Sequence, residues 1–290
     1  MKLKNMIGMT LSVVILFSLF ICGAGIAYGA ESTEPEDRYY TTSDGVKLHY
    51  RVAGSGDPLV ILPGFGAAAD SFDKNYEALQ EHFTVYTLEY RGCGQSEAPT
   101  YGYHTERMAA DFKELLDAEE LDNVNVIGHS MGNSVFWCYV EIWGQDRINK
   151  YVLAEEGPTF VSDPSWTEEE QTTYRGVMDW DMFMDPGMKA GMSAPLEGES
   201  EEIGLARGEG MARLWKYHLA NDWSDIIPTI TVPTLLVYGE NSHFASENLW
   251  NFMHDSIEGS ELVIMEGVGH LVNQEDPDTF NAAVIDFLTK

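Results

Sequence analysis

The stretch Gly128-His129-Ser130-Met131-Gly132 combines a nucleophilic side chain with the backbone signals of a sharp turn. The β-branched run over 124–127 predicts a buried strand before it, and the apolar run over 133–140 predicts a helix after it. A serine on such a turn needs glycine on both sides, because the neighbouring main chains lie too close for a Cβ. The turn exposes Ser130 Oγ and leaves the Met131 amide facing the same point. The pattern predicts that Ser130 is a nucleophile.

Strand-like and helix-like segments alternate on both sides of this turn, which predicts parallel strands with helices on both faces of the sheet. Residues 43–45 are a turn signal that predicts a hairpin of two strands, and Thr105 is a candidate N-cap of a helix. A final helix is predicted over 277–288. The predicted strands are 38–42, 46–52, 59–62, 83–88, 124–127, 151–154, 234–238 and 261–265.

The alternation stops between residues 160 and 223, where no strand-like run occurs and methionine and aromatic residues are frequent. We interpret this segment as an inserted helical cap over the carboxyl edge of the sheet, where open α/β folds bind ligands. Methionine adapts to irregular pockets and to irregular cores alike. The segment therefore fits two roles, a flexible apolar lid over a substrate and a packing element of the main body.

Residues 1–30 have the composition of a secretory signal peptide. A positively charged start precedes an almost wholly apolar stretch over 6–21, and small residues permit cleavage after Gly29. The uncharged stretch after Lys4 is also long enough to span a bilayer, so an uncleaved membrane anchor is the alternative. We expect a secreted protein whose folded domain covers 31–290, with contact to a membrane only if the leader is retained.

The composition excludes several classes of partner. The formal net charge is −30, and so acidic a surface repels nucleic acids and anionic membranes. Outside the leader only Cys93 and Cys138 remain, too few for a disulfide scaffold. The sequence has no tight Cys/His cluster and no glycine-rich phosphate loop. We therefore expect two free thiols, no metal and no cofactor.

From about Tyr39 to Leu288 the chain resembles the α/β-hydrolases, and it is most similar to their serine esterases and lipases. The resemblance rests on the turn at Ser130 and on four further motifs. These motifs are Pro63-Gly64-Phe65-Gly66, Tyr90-Arg91-Gly92-Cys93-Gly94-Gln95-Ser96, Val232-Pro233-Thr234-Leu235-Leu236-Val237-Tyr238-Gly239 and Gly267-Val268-Gly269-His270. The resemblance implies an α/β-hydrolase fold, a mostly parallel central sheet flanked by helices with an inserted helical cap.

The resemblance also implies site residues. His270 occupies the position of the family's general base, in a glycine-rich turn after the last strand. Phe65 matches the residue whose amide completes the oxyanion hole with the Met131 amide. Pro63 replaces a histidine often found there, which a hole made of backbone amides tolerates.

The acidic partner of His270 departs from the commonest family pattern. Most relatives carry aspartate three residues after Gly239, whereas this chain has Ser242. Glu155, just after the strand over 151–154, matches a second location that some branches use, and we favour it. Glu240 is the alternative acid and Glu156 a third candidate.

A serine nucleophile argues against dehalogenation and epoxide opening, which require a carboxylate nucleophile in this fold. We expect hydrolysis of a carboxylester, lactone or thioester with a hydrophobic acyl part, through an acyl-enzyme on Ser130. Carbon–carbon, amide or perhydrolase chemistry on the same residues is the enzymatic alternative. A binding or sensor protein that has lost turnover is the alternative from another class, supported by Ser242.

Overall fold

Eight strands form a single sheet in the computed structural model, which describes residues 34–160, 167 and 200–290. The strands are β1 Glu36–Thr41, β2 Lys47–Gly54, β3 Asp57–Leu62, β4 Phe83–Leu88, β5 Val124–His129, β6 Ile148–Ala154, β7 Thr234–Gly239 and β8 Glu261–Met265. Their spatial order is β1-β2-β4-β3-β5-β6-β7-β8. β2 pairs antiparallel with β1 and β4, whereas every pairing between β4 and β8 is parallel. The predicted mostly parallel sheet is confirmed.

The continuous apolar run in β3 is explained by burial on both faces of the sheet. Val60 and Leu62 join one hydrophobic cluster, while Leu59 and Ile61 join the other. Successive side chains of a strand point to opposite faces, so a strand covered on both sides has no position for a polar residue.

Helices cover both faces of the sheet. The α-helices are α1 Asp73–Leu79, α2 Thr105–Ala118, α3 Met131–Trp143, α4 Glu201–Ala220, α5 Glu247–Ser256, α6 Val272–Glu275 and α7 Pro277–Thr289. Side chains of α2 and α3 enter the first hydrophobic cluster, and side chains of α1 and α7 enter the second. The sequence pattern did not predict α1 and α6.

The predicted N-cap of α2 is wrong by one residue. His104, not Thr105, is the N-cap, and its Nδ1 accepts from the Arg107 amide at 3.3 Å. Thr105 is instead fully buried, where its hydroxyl oxygen accepts a hydrogen bond from Asn221 on the segment after α4. The threonine therefore connects α2 to the region that follows α4.

Two predicted segments lie largely outside the described residues. The leader over 1–30 does so entirely, and of the predicted cap over 160–223 the structure describes Phe160, Thr167 and residues 200–223. Within that last part, α4 is a 20-residue helix. No helix in the described part of the chain has the length and apolar content needed to cross a bilayer.

Both cysteines of the folded region are free thiols, as predicted. Cys93 and Cys138 are buried, and burial raises the pKa of each thiol to about 12. Thiols with so high a pKa are almost wholly protonated near neutral pH and react slowly.

Candidate active site

Ser130 lies where β5 ends and α3 begins. Its backbone has φ 50° and ψ −130°, a strained conformation that costs about 1–3 kcal/mol in a non-glycine residue. A Cβ on Gly132 would collide with the carbonyl oxygen of Leu62, and a Cβ on Gly128 would collide with the side chain of Asn133. Close packing therefore requires both glycines of the turn, as the sequence predicts.

Asn133 ties this turn to the neighbouring strand β6. Its fully buried amide donates to the carbonyl oxygens of Ser130 at 3.0 Å and Ala154 at 2.9 Å, and its Oδ1 accepts from the Tyr151 hydroxyl at 2.6 Å. The Ser130 amide also donates to the Ala154 carbonyl, at 2.9 Å. The position of Ser130 is thus coupled to the end of β6, which leads directly into Glu155.

Glu155 and His270 are brought together from two different strand ends. Glu155 follows β6 with φ 59°, and its side chain is completely buried. His270, in the loop between β8 and α6, has a side chain that is 21% exposed, and its Nδ1 lies 2.9 Å from Glu155 Oε2. A carboxylate accepts the Nδ1 proton, which leaves Nε2 of His270 as the ring's other nitrogen for a reacting group.

The end of β7 and the loop after it supply donors to the same carboxylate. The Gly239 amide donates to Glu155 Oε1 and the Ser242 hydroxyl donates to Oε2, both at 2.5 Å. Glu240, the alternative acid, is exposed and accepts a hydrogen bond from the Gly267 amide at 2.9 Å. Among the predicted acids, the structure therefore places Glu155 against the histidine, with Ser242 supporting it rather than replacing it.

His129 and Phe244 flank the ring of His270. The ring centroids lie 5.1 Å and 4.5 Å away, respectively. Burial lowers the pKa of His129 to about 3, with a smaller contribution from His270. Neutral His129 donates from Nε2 to the main-chain oxygen of His270 at 3.0 Å, which holds the loop that carries this histidine.

The two predicted oxyanion donors lie beside Ser130. Met131 is the first residue of α3, so its amide has no acceptor within the helix. A Cβ on Gly64 would come within 3.2 Å of Ser130 Cβ, so the loop that continues into Phe65 runs against the turn at Ser130. The Phe65 ring packs on Trp215 of α4 with centroids 4.6 Å apart.

Ser130 and His270 open onto one cavity of about 220 Å³. Phe65, Phe160, Trp215, Leu219 and Phe244 give its walls an apolar and mainly aromatic surface. Such a cavity binds a small apolar group next to the serine hydroxyl. Within the described ranges no three His, Cys, Asp or Glu side chains are grouped so that they could hold a metal ion.

Comparison with known proteins agrees with this geometry. Residues 57–186, which include Ser130 and Glu155, match the family model of the alpha/beta hydrolase fold. The protein has the α/β-hydrolase fold.

The relatives of this α/β-hydrolase include esterases and other hydrolases. Serine hydrolase BPHL of Mus musculus is 25% identical over 263 residues, 84% of this chain and 84% of the mouse protein. The esterase EaEST from Exiguobacterium antarcticum superposes with a TM-score of 0.72 at 25% identity, over 88% of this chain and 100% of that one. A bromoperoxidase from Bacillus anthracis shares the fold, with a TM-score of 0.70 at 24% identity over 88% and 100% of the two chains.

The sequence did not predict that His218 and Glu156 lie close together near the cavity. The sequence gives Glu156 only as a third candidate acid and does not assign His218 to the site. The structure places His218 in the cavity wall, with Nε2 3.8 Å from the buried Glu156 carboxyl. One signal was present in the sequence, since Trp215, His218 and Leu219 have the spacing of one helix face.

Proposed function

We propose that this α/β-hydrolase is a serine hydrolase that cleaves a carboxylester, lactone or thioester bond through an acyl-enzyme on Ser130. The observation that carries the proposal is the Glu155–His270 contact of 2.9 Å at the rim of the cavity that Ser130 lines. A serine hydroxyl is a weak nucleophile unless a positioned base removes its proton. Histidine held by a buried carboxylate is the usual base in such a triad.

In this mechanism Ser130 Oγ attacks the acyl carbon while Nε2 of His270 takes the hydroxyl proton. Glu155 stabilises the resulting imidazolium through Nδ1 and does not take its proton. The amides of Phe65 and Met131 stabilise the oxyanion, each by about 2.7–4 kcal/mol. His270 then protonates the leaving oxygen or sulfur. A water molecule, deprotonated by His270, releases the acid and restores Ser130.

The substrate class follows from the cavity and from the nucleophile. An acyl carbon is required, because attack by a serine forms an ester that water can hydrolyse. The aromatic walls favour a hydrophobic acyl group, and the volume of about 220 Å³ favours a short or medium one.

The test is hydrolysis of p-nitrophenyl esters of graded acyl length by the wild-type protein and by Ser130→Ala. Ser71→Ala is the matched control, because Ser71 lines the same cavity but donates to the Ala68 carbonyl. We expect turnover in wild type and Ser71→Ala, and a loss of about 10⁴-fold or more in Ser130→Ala.

If the folded wild-type protein hydrolyses none of these esters, ester cleavage is rejected and the two alternative functions remain. An organophosphonate probe then separates them. Labelling that requires Ser130 leaves a narrower hydrolase, including one for carbon–carbon or amide bonds, while absence of labelling favours the binding protein.

We also infer that residues 1–30 direct secretion of the hydrolase. The support is the positive start and apolar stretch of the sequence. N-terminal sequencing of the exported protein is expected to begin at Ala30. A chain that retains Met1 and sediments with membranes would favour the anchor instead.

A further inference from the structure

The loop that carries His270 is rich in glycine. Between β8 and α6 the chain contains Gly267-Val268-Gly269-His270, and Gly267 has a φ of 73°. Glycine leaves the backbone free to adopt many conformations, so a base on such a loop needs contacts from other elements to hold one position. The hydrogen bond to Glu155 holds Nδ1 of the ring but does not hold the main chain.

Glu275, the last residue of α6, binds the main chain on both sides of His270. Its Oε2 accepts from the Gly269 amide at 2.8 Å, and its Oε1 accepts from the Leu271 amide at 3.1 Å. Hydrogen bonds to a carboxylate are shorter and stronger than those between neutral groups. One carboxylate therefore fixes the residues before and after the histidine at the same time.

Gly269 leaves the space that this carboxylate occupies. A Cβ at position 269 would lie 3.0 Å from Oε1 and 3.2 Å from Oε2 of Glu275. Gly269 does not share the positive φ of Gly267. The close approach of the Glu275 carboxylate is therefore the contact that a larger residue at position 269 would disturb.

His129 provides a third contact, to His270 itself. Its Nε2 donates to the His270 main-chain oxygen at 3.0 Å, and His129 directly precedes Ser130 in the chain. The main chain is thus bonded at three consecutive residues, 269, 270 and 271, by two side chains. Together these contacts hold the base loop against the turn at Ser130.

We propose that Glu275 is a positioning residue for the general base. By binding the main chain on both sides of His270, it keeps the ring in contact with Glu155 and in place for Ser130. The inference rests on the proposed function, because that function makes His270 the base. Glu275 is not among the described residues that line the cavity. It acts through His270, and a small displacement of a catalytic group is enough to lower the rate.

Capping of α6 is the purely structural role that Glu275 would otherwise have. An acidic side chain that reaches back to the amide at the start of its own helix stabilises that helix. Loss of a cap alone lowers the stability of the protein without changing which ring nitrogen of His270 carries the proton. The test therefore measures this tautomer as well as the rate.

Glu275→Ala removes the carboxylate, and Gly269→Ala, which crowds it, replaces that variant if it does not fold. Glu240→Ala is the matched control, because Glu240 is exposed and accepts from the Gly267 amide of the same loop at 2.9 Å. Steady-state kinetics on a p-nitrophenyl ester give kcat and KM. Long-range nitrogen–proton NMR correlation spectra show which nitrogen of neutral His270 carries the proton, and His270→Asn assigns its signals.

We expect Glu275→Ala to lower kcat about tenfold, with KM within about twofold of wild type. His270 is expected to change from the Nδ1–H tautomer, which the Glu155 carboxylate favours, to a mixture of both tautomers. Glu275→Gln keeps one oxygen that can accept an amide hydrogen, and its kcat is expected to fall only about threefold. Glu240→Ala is expected to change neither measurement.

An unchanged kcat, an unchanged tautomer or an equal loss in Glu240→Ala would overturn the inference. The tautomer is measured without any substrate. If the wild-type protein hydrolyses no ester, the proposed function fails, and the tautomer alone then decides whether Glu275 positions His270. The two failures are therefore distinguishable.

Discussion

At the scale of single residues, the hydrogen-bond donors around Glu155 identify it as the proposed acid better than its place in the sequence does. Glu155 receives hydrogen bonds from His270, Ser242 and the Gly239 amide. A buried carboxylate is stabilised when such donors replace water. The serine at the usual aspartate position therefore participates in the site through the carboxylate of the neighbouring strand end.

Replacing Glu155 tests its proposed role. Glu155→Gln keeps the shape of the side chain but removes the charge that stabilises the His270 imidazolium, so we expect kcat on a p-nitrophenyl ester to fall by about 10³–10⁴-fold. Glu240→Gln, the matched control, is expected to stay within about threefold of wild type. The reverse pattern would assign the acid to Glu240.

Ser242→Ala tests the support of that carboxylate. Removal of one of its donors is expected to lower kcat about tenfold, with KM nearly unchanged, because the hydroxyl donates to the acid and does not itself line the cavity. Steady-state kinetics on the same ester measure kcat and KM separately. An increase in KM alone would contradict this role.

At the scale of elements, the strand–turn–helix unit of β5 and α3 is held in place through β6. Asn133, in the first turn of α3, contacts β6 with two of its hydrogen bonds, to Ala154 and from Tyr151. The strained serine backbone persists only because the surrounding contacts compensate its cost. The same buried amide therefore contributes both to stability and to the position of Ser130.

Asn133→Ala leaves the Tyr151 hydroxyl and the Ala154 carbonyl each without one buried partner. We expect the free energy of unfolding to fall by about 3 kcal/mol, measured by urea denaturation, and kcat to fall with it. Asn251→Ala, at an exposed position of α5, is the control and is expected to change stability by less than about 0.5 kcal/mol. Equal effects of Asn133→Ala and Asn251→Ala would contradict the role of Asn133 in holding the turn at Ser130.

At the scale of the whole molecule, the excess of 47 acidic over 17 basic residues produces long-range repulsion in the folded state. Salt screens charges that lie more than about 10 Å apart at 0.1 M. We expect the thermal midpoint to rise by about 3 °C or more between 0.02 M and 0.5 M NaCl, as measured by circular dichroism. A flat or falling midpoint would mean that local ion pairs outweigh the net charge.

The two buried residues Glu156 and His218 change the stability of the protein in opposite directions when the pH changes. His218 stays neutral in the folded state down to a pKa of about 3, while the unfolded side chain binds a proton below pH 6.5. Acidification from pH 7.5 to 5 therefore costs about 2 kcal/mol through this histidine. Glu156 acts in the opposite sense, since its raised pKa keeps it protonated when folded but not when unfolded, so its contribution falls as pH rises above 4.5.

Urea denaturation at pH 5, 6 and 7.5 separates the two contributions. Relative to wild type, His218→Phe is expected to lose less stability on acidification, and Glu156→Gln is expected to lose more. Parallel pH dependences in all three proteins would show that the pair does not titrate as described.

The sequence by itself determined the alternating strands and helices, the mostly parallel sheet and the turn at Ser130. These features depend on local signals, namely apolar periodicity, glycine where a Cβ cannot fit, and motifs of adjacent residues. The resemblance to the α/β-hydrolases favoured Glu155, and the structure brings it to His270. The local signals failed at the N-cap of α2, where the choice between His104 and Thr105 depended on the distant contact of Thr105 with Asn221.

Only the tertiary structure decided which side chains from different strand ends meet. Ser242 and Glu155 are 87 residues apart and share one hydrogen bond. His218 of α4 and Glu156 lie 3.8 Å apart, measured from Nε2 to Oε2. Residue spacing cannot reveal such contacts, because they depend on the order in which parallel strands assemble and on which face of α4 is buried. The local sequence therefore predicted the turn at Ser130, and the three-dimensional packing selected the partners around it.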